Sequence, residues 1–258
     1  MFLGCDIGTG YTKAVLIDKE GTIRASDIIA TEADPKNAGD EILKRVLNAA
    51  SIGLNDINAC FSTGWGRAYV NIEHREKGMM NCLAKGANSV LPSCRTLLDI
   101  GAQHSMAISV DDKGNVVEFR QNDRCAAGSG RFVEVISEAL HVPLEEVSDY
   151  AMRSQENITV TAQCAVFAES EVIALVNDGK SQEAILAGIL NSLARGIVTL
   201  AKRLSIQNDI LVSGGLAKNK ALVNDIEMNL ENRVNIASPD PQLLAAFGAA
   251  LLAKEEGE

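Results

Sequence analysis

The chain has no Cys-x-x-Cys pair among its six cysteines, no excess of basic residues and no apolar run long enough to cross a membrane. Without close cysteine pairs, a zinc ribbon or a single-chain ferredoxin site has no support, so any metal centre has to be assembled from distant cysteines or from two chains. A net charge of −10 leaves no basic stripe to neutralise phosphates, which argues against a nucleic-acid partner. Multi-anionic ligands stay open, because glycine-turn amides bind them without side-chain charge. The longest apolar run, Leu243 to Ala253, falls well short of the ~20 residues of a membrane span. The opening Met-Phe-Leu-Gly-Cys-Asp has no basic region or long apolar stretch, so no signal peptide is expected, and a soluble cytoplasmic protein that engages no membrane follows. In that setting the cysteines read as thiols rather than disulfides. There is also no low-complexity linker, so structured crossings should join whatever lobes exist.

What the chain does have is an internal duplication. A sixteen-residue stretch appears twice without a gap, 93 residues apart, first as Asp6-Ile-Gly-Thr-Gly-Tyr-Thr-Lys-Ala-Val-Leu-Ile-Asp-Lys-Glu-Gly21 and again as Asp99-Ile-Gly-Ala-Gln-His-Ser-Met-Ala-Ile-Ser-Val-Asp-Asp-Lys-Gly114. Each copy reads as strand, glycine turn, strand and a second tight turn. A duplicated β-hairpin suggests two related lobes, and where such hairpins face each other two acidic glycine turns would meet across a cleft. At 258 residues and 47% hydrophobic composition, one large or two small domains can each bury a core.

The remaining pattern alternates α and β. Residues 2–7 and 11–17 form the first hairpin, 22–30 extend its sheet, and 40–52 read as an amphipathic helix after the Asp34-Pro35 break. A buried strand over 57–62 ends at Ser62-Thr-Gly-Trp-Gly-Arg67, and a helical pattern resumes over 74–90. The second hairpin occupies 96–110 and a further strand 115–121. Helices follow over 129–140, 144–152, 165–177 and 183–204. A strand at 209–213 then leads into Gly214-Gly215, with a helix over 219–231, a short strand at 233–237 and a last helix after Pro241.

The chemistry starts at the glycine turns. Gly8 and Gly10 let backbone amides approach a phosphate closely, while Thr9, Thr12 and Lys13 add hydroxyl and ammonium donors. Asp6 and Asp99, each at the end of a buried strand, could hold a hydrated Mg2+ ion between them. The plain alternative is two ordinary hairpins whose Asp and Gly serve turn geometry. A third glycine element, Asp209-Ile-Leu-Val-Ser-Gly-Gly215, lets a flat ring lie against backbone at Gly214 and Gly215, with a helix N-terminus beyond it; a simple strand-to-helix turn is the alternative. Together, Asp6-x-Gly-Thr, Asp99-x-Gly101 and Ser213-Gly-Gly resemble the phosphate and adenosine motifs of the actin, Hsp70 and sugar-kinase superfamily. That resemblance implies an α/β fold of two ribonuclease-H-like lobes with ATP in a cleft between them. The lobes are expected at 1–95, completed by the C-terminal helix 241–258, and at 96–240.

Two cysteines stand out. Cys125, in Asn122-Asp-Arg-Cys-Ala-Ala-Gly-Ser-Gly-Arg-Phe132, lies just before a helix for which Ser129 is a candidate cap, and Cys164, in Thr161-Ala-Gln-Cys-Ala-Val-Phe-Ala-Glu-Ser-Glu171, lies in the first turn of another. A thiolate is favoured at a helix amino end by the macrodipole and unpaired amides. Two such residues are half of a four-thiolate set that a symmetric dimer would complete; two buried core cysteines are the alternative. These two segments, with Ser62-Thr-Gly-Trp-Gly-Arg67, Asp99-Ile-Gly-Ala-Gln103 and Ser213-Gly-Gly-Leu216, resemble those of the BadF/BadG/BcrA/BcrD ATPase family, which includes activators of 2-hydroxyacyl-CoA dehydratases and ATP-binding subunits of benzoyl-CoA reductase. The resemblance implies a homodimer, or closely related heterodimer, sharing one 4Fe-4S cluster ligated by Cys125 and Cys164 of each subunit. It further implies Asp6, Asp99 and Gln103 as the catalytic set, ATP hydrolysis coupled to delivery of a low-potential electron to a partner iron–sulfur dehydratase or reductase, and a ferredoxin or flavodoxin as upstream reductant.

Departures from the family pattern are local. Activators usually carry Gly-Gly-Gln-Asp where this chain has Gly101-Ala102-Gln103-His104, and a Cys-His pair where it has Cys82-Leu83. His104 and the opening Asp-Ile-Gly-Thr-Gly are closer to benzoyl-CoA reductase subunits. Cys5, Cys60, Cys82 and Cys94 read as core residues. Two other functions share the glycine turns: a small-molecule, carbohydrate-type kinase, which needs a sugar site that no segment here suggests, and a nucleotide-gated scaffold without a cluster, which would tolerate serine at 125 and 164.

Overall fold

The structure is a computed structural model that describes residues 1–122, 129–156, 158–160, 165–207 and 209–257, the side chains of 165–167 excepted. The elements run β1 (Phe2–Ile7), β2 (Tyr11–Ile17), β3 (Ile23–Ala30), α1 (Pro35–Ala50), β4 (Ala59–Thr63), β5 (Arg75–Glu76), α2 (Met79–Val90), β6 (Thr96–Ile100), β7 (Ser105–Val110), β8 (Val116–Gln121), α3 (Gly130–Ala139), α4 (Val147–Met152), α5 (Ala165–Asn177), α6 (Gln182–Ala201), β9 (Ile210–Ser213), α7 (Lys220–Leu230), β10 (Asn235–Ile236) and α8 (Leu244–Gly257). They divide into two compact units. The first comprises Met1–Arg95, Val110–Val117 and Ala237–Glu258, and the second Thr96–Ser109 and Glu118–Ile236.

In the first unit the sheet order is β3-β2-β1-β4-β5, with β1 antiparallel to β2 and parallel to β4. Alternation along β1 feeds two layers. Leu3, Cys5 and Ile7 face the α1 side with Ile42, Leu43, Val46 and Leu47, while Phe2 joins Phe61 and the alanine face of α8. Gly4 lets α8 lie directly on β1, since a Cβ there would overlap the Ala246 carbonyl and the Ala250 amide. The C-terminal helix thus backs the strand that carries Asp6. Helix α1 starts at Pro35 rather than at the expected residue 40, because the Asp34 carboxylate accepts from the Lys36 and Asn37 amides and proline suits the first helical position. Residues 75–76, expected as helix, instead form β5 on the edge beside β4.

The second unit repeats the plan. Its sheet, read from the other edge, is β8-β7-β6-β9-β10, with β6 antiparallel to β7 and parallel to β9. The core lies between this sheet and α3, α4, α6 and α7, and includes Phe132, Ile136, Ile185, Ile189, Leu193 and Leu222. Although broken by Glu183, Asn191 and Arg195 and so no continuous apolar run, α6 alone among the described residues has the length and mean hydropathy to cross a membrane, and it is mostly buried in this core.

The duplicated hairpins match residue for residue. Asp6 pairs with Lys13 and Ile7 with Thr12; at the same 93-residue offset Asp99 pairs with Met106 and Ile100 with Ser105. The outer turns match as well. Asp18 Oδ1 accepts the Glu20 and Thr22 amides and Asp111 Oδ1 the Lys113 and Asn115 amides, and Gly21 and Gly114 close the two turns at φ +85° and +78°. Desolvation pushes the Asp18 carboxyl up, but the Thr22 amide, the Arg24 side chain and the Glu20 amide outweigh it and hold the group below its ordinary 3.8. Asp111 is lowered by the Asn115 side chain and amide, then by the Lys113 amide. Groups more acidic in the folded chain contribute stability above the ordinary carboxylate range and lose it as pH falls through the folded value. Asp18→Asn and Asp111→Asn are therefore expected to lower the urea midpoint at pH 7, with the gap from the parent closing below about pH 4. A gap that does not depend on pH would show that charge has no part in holding these turns.

Candidate functional site

The first inner turn is a tight, braced structure. The Gly8 amide donates to the Tyr11 carbonyl at 3.1 Å. Thr31 clamps the turn from the end of β3: its amide donates to Gly10 O at 3.0 Å and its hydroxyl to Gly8 O at 2.8 Å. With that proton committed, the 2.9 Å contact between Thr12 and Thr31 hydroxyls has Thr12 as donor. Thr12 is thus a buried brace of the turn, whereas Gly8, Thr9 and Gly10 are partly exposed. A Cβ at Gly8 would lie 2.7 Å from Tyr11 O, so the turn requires glycine there.

Asp6, at 4% exposure, sits where β1 meets this turn. Its Oδ2 forms a 2.7 Å ion pair with Lys13 Nζ, whereas its Oδ1 is buried and, among the described residues, meets no hydrogen-bond donor. A buried carboxylate oxygen without a partner costs free energy that a cation, or water held by one, would relieve. Mg2+ takes one or two carboxylates while keeping several waters, so the donor present fits that ion.

A second pair of matching features was not apparent from the sequence. β4 runs parallel to β1 with Thr63 level with Asp6, and β9 runs parallel to β6 with Ser213 level with Asp99. Each of these strands ends in a glycine at positive φ, Gly64 at +90° and Gly214 at +88°. A Cβ at Gly64 would lie 2.5 Å from both Asp6 Oδ1 and Ile7 O, and one at Gly214 would overlap Ile100 O. Gly64 is therefore the counterpart of Gly214, folded over the end of the Asp6 strand. The signal lay in the shared hydroxyl-glycine pairs Thr63-Gly64 and Ser213-Gly214, too short to be noticed without the strand register. The Gly66 amide fastens the crossing by donating to Ile7 O at 2.8 Å, which leaves Trp65, the chain's one tryptophan, 67% exposed beside it.

In the second unit the Gly101 amide donates to the His104 carbonyl at 2.8 Å, as Gly8 does to Tyr11. Asp99 is buried and accepts from Ser213 Oγ at 2.7 Å. Lys13 has become Met106, so here a hydroxyl takes the place of an ammonium beside the aspartate. Gln103 is exposed on the turn, and Gly215 opens the short helical turn Gly215–Lys218 after Gly214. Within the first unit the structure brings together Asp6, Gly8, Thr9, Gly10 and Lys13, and within the second Asp99, Gly101, Gln103, Gly214 and Gly215. Ser129 holds the N-cap position of α3, but its hydroxyl does not cap; the Gly101 and Ala102 carbonyls take the Gly130 and Arg131 amides instead, which corrects the expected role.

Cys125 and Cys164 lie outside the described residues. The other four cysteines are buried thiols. A hydrogen bond to Cys60 and burial push the Cys5 thiol well up, and burial pushes Cys82 up to about 12. Both stay protonated at neutral pH, which disfavours metal ligation by either. Among the described residues no group of three or more His, Cys, Asp or Glu side chains is placed to hold a metal.

Paired sheets of this order, each with a glycine turn beside a buried aspartate, define a two-lobed α/β fold of the actin, Hsp70 and sugar-kinase class. A ROK family glucokinase from Streptomyces griseus has the same fold at TM-score 0.62, covering 98% of this chain and 99% of its own, at 15% identity, which speaks to fold alone. Within that class the chain belongs to the BadF/BadG/BcrA/BcrD ATPase family, matched over residues 3–253. The activator of the 2-hydroxyisocaproyl-CoA dehydratase from Clostridium difficile, solved with bound ADPNP, superposes at TM-score 0.93 with 32% identity, covering 100% of this chain and 96% of the activator. A benzoyl-CoA reductase subunit of Thauera aromatica is 32% identical over 258 residues, covering 96% of this chain and 91% of its own length.

Asp6→Asn keeps the size of the side chain and removes the charge beneath Gly64. Mg2+-dependent ATP hydrolysis is expected to fall at least about tenfold while the circular dichroism spectrum stays unchanged; a full rate in the variant would assign Asp6 to the fold alone.

Proposed function

We propose that the chain is an ATP-hydrolysing iron–sulfur protein that delivers a low-potential electron to a partner acyl-CoA dehydratase or aromatic acyl-CoA reductase. The observation that carries the nucleotide half of this reading is the unpartnered Asp6 Oδ1 under Gly64, at the end of a turn whose duplicate carries Asp99. Family membership and relatives named as a dehydratase activator and a reductase subunit support the partner class.

The roles follow from the chemistry of each group. With the Gly8 amide held by the Tyr11 carbonyl, Thr9 and Gly10 offer turn amides and a hydroxyl to the phosphates, the bare Gly8 keeps the approach open, and Lys13 adds positive charge beside them. Thr12 holds the turn in shape. Asp6 and Asp99 are the carboxylates that would serve Mg2+, which would supply charge neutralisation at the phosphates, and the exposed Gln103 would orient the water that attacks the terminal phosphate. Gly214 and Gly215 let the nucleoside lie against backbone. Cys125 and Cys164, two thiolates per chain, ligate one 4Fe-4S cluster shared by the two subunits of a homodimer or close heterodimer. The cluster supplies a one-electron carrier, charged by a ferredoxin or flavodoxin. Hydrolysis drives the transfer only through contacts that differ between nucleotide states. The setting is a soluble, cytoplasmic one.

Protein purified without oxygen is expected to hold about four iron and four acid-labile sulfide per dimer. Cys125→Ser and Cys164→Ser should each lose the iron and the electron transfer while still binding ATP. Serine variants that both keep full electron transfer would overturn the assignment.

A further inference from the structure

The backbone of the first inner turn is held in one orientation by a single residue. Thr31 lies buried just past β3, whose last residue, Ala30, is level with Tyr11. Its amide donates to Gly10 O and its hydroxyl to Gly8 O, while the buried Thr12 hydroxyl donates to Thr31 Oγ1. The two hydroxyl bonds therefore run one way, from Thr12 through Thr31 to Gly8 O. A peptide unit is planar and trans, so its carbonyl and its amide point in opposite directions. With Gly8 O turned toward Thr31, the Thr9 amide of the same peptide points away from it. Among the described residues that amide meets no acceptor, and Thr9 is partly exposed. The chain takes on a costly conformation directly afterwards. Glu32 stands at φ +50°, in the left-handed region that a side chain with a Cβ seldom adopts, before Asp34 caps α1. Thr31 is thus fixed from β3 on one side and from the start of α1 on the other.

We infer that Thr31 is a positioning residue for phosphate binding: it aims the Thr9 amide out of the turn, with Thr12 setting the direction of its hydroxyl. This rests on the reading that the turn holds phosphate. The Gly8 amide is taken by the Tyr11 carbonyl, so the Thr9 amide is the first donor of the turn left for a ligand. Glycine on either side of Thr9 gives the flanking peptides wide rotational freedom, and the bond from Thr31 Oγ1 to Gly8 O selects one orientation. A donor already aimed at an anion gives up no orientational freedom on binding, which makes it worth more than a free one.

The test compares Thr31→Val, which keeps the shape and the amide bond to Gly10 but removes the hydroxyl, with Thr31→Ser, which keeps both donors. A non-hydrolysable ATP analogue with Mg2+ is titrated into each at a temperature where circular dichroism shows every variant folded. Thr31→Val is expected to bind the analogue about tenfold more weakly, the effect of one lost hydrogen bond to a charged group, and Thr31→Ser to stay within about twofold of the parent. Asp111→Asn, which loosens an outer turn of the other hairpin, is the control for lost stability and should bind as the parent does. A second measurement needs the parent alone: its Thr9 amide signal should move downfield when the analogue is added, as an amide newly bonded to phosphate does. Thr31→Val that binds as tightly as the parent would overturn the inference, as would a Thr9 amide that does not move while the analogue is bound. Thr31→Ser as weak as Thr31→Val would overturn it too, by reducing Thr31 to a packing residue. A parent that binds no nucleotide would overturn the phosphate reading itself, and the inference with it.

Discussion

The passage of two glycines over two strand ends is the constraint on which the rest depends. Gly64 and Gly214 turn back at positive φ directly above the last residues of β1 and β6, and neither position has room for a Cβ. That crossing fixes β4 beside β1 and β9 beside β6, keeps the carbonyls of Ile7 and Ile100 covered, and in the first unit leaves Asp6 Oδ1 buried with no donor among the described residues. Burial without a partner is costly in a purely structural carboxylate. A cation with its waters is the partner that the proposed function would supply.

Duplication then explains how one device serves two roles. The hairpins share register, inner-turn bond and outer aspartate turn, so the backbone framework is common to both units. Side chains have diverged on that framework. Lys13 pairs with Asp6 in the first unit, whereas in the second Met106 stands at the equivalent place and the Ser213 hydroxyl donates to Asp99. Anchoring has diverged as well, Thr31 just past β3 holding the first turn and the opening of α3 the second.

Much of this was legible in the chain itself. Strand boundaries at 2–7 and 11–17 followed from apolar alternation broken by Gly8 and Gly10, and helix α5 fell at 165–177 as its pattern indicated. The duplicated Asp-Ile-Gly gave the sheet plan, because identical spacing of apolar residues imposes identical pairing. Other features depended on contacts that no local pattern encodes. The Asp34 cap drew α1 back to Pro35, and edge pairing beside β4 turned 75–76 into strand. Thr12, read as a donor to phosphate, is turned inward by the partner hydroxyl of Thr31, nineteen residues away. Gly64 was quoted as part of a motif, but its closeness to Asp6 exists only once parallel pairing brings Thr63 level with that residue. The role of Ser129 passed to two carbonyls of a distant turn for the same reason.

The central claim, that the glycine turns beside Asp6 and Asp99 are where a metal-bound nucleotide sits, is tested most directly by paramagnetic broadening. Mn2+ with a non-hydrolysable ATP analogue would be added to isotope-labelled protein and the amide spectrum compared with that of the Mg2+ complex. Selective loss of the Gly8, Thr9, Gly10, Gly64 and Gly101 signals is the predicted result. Broadening centred elsewhere, with those amides untouched while the analogue is bound, would contradict it.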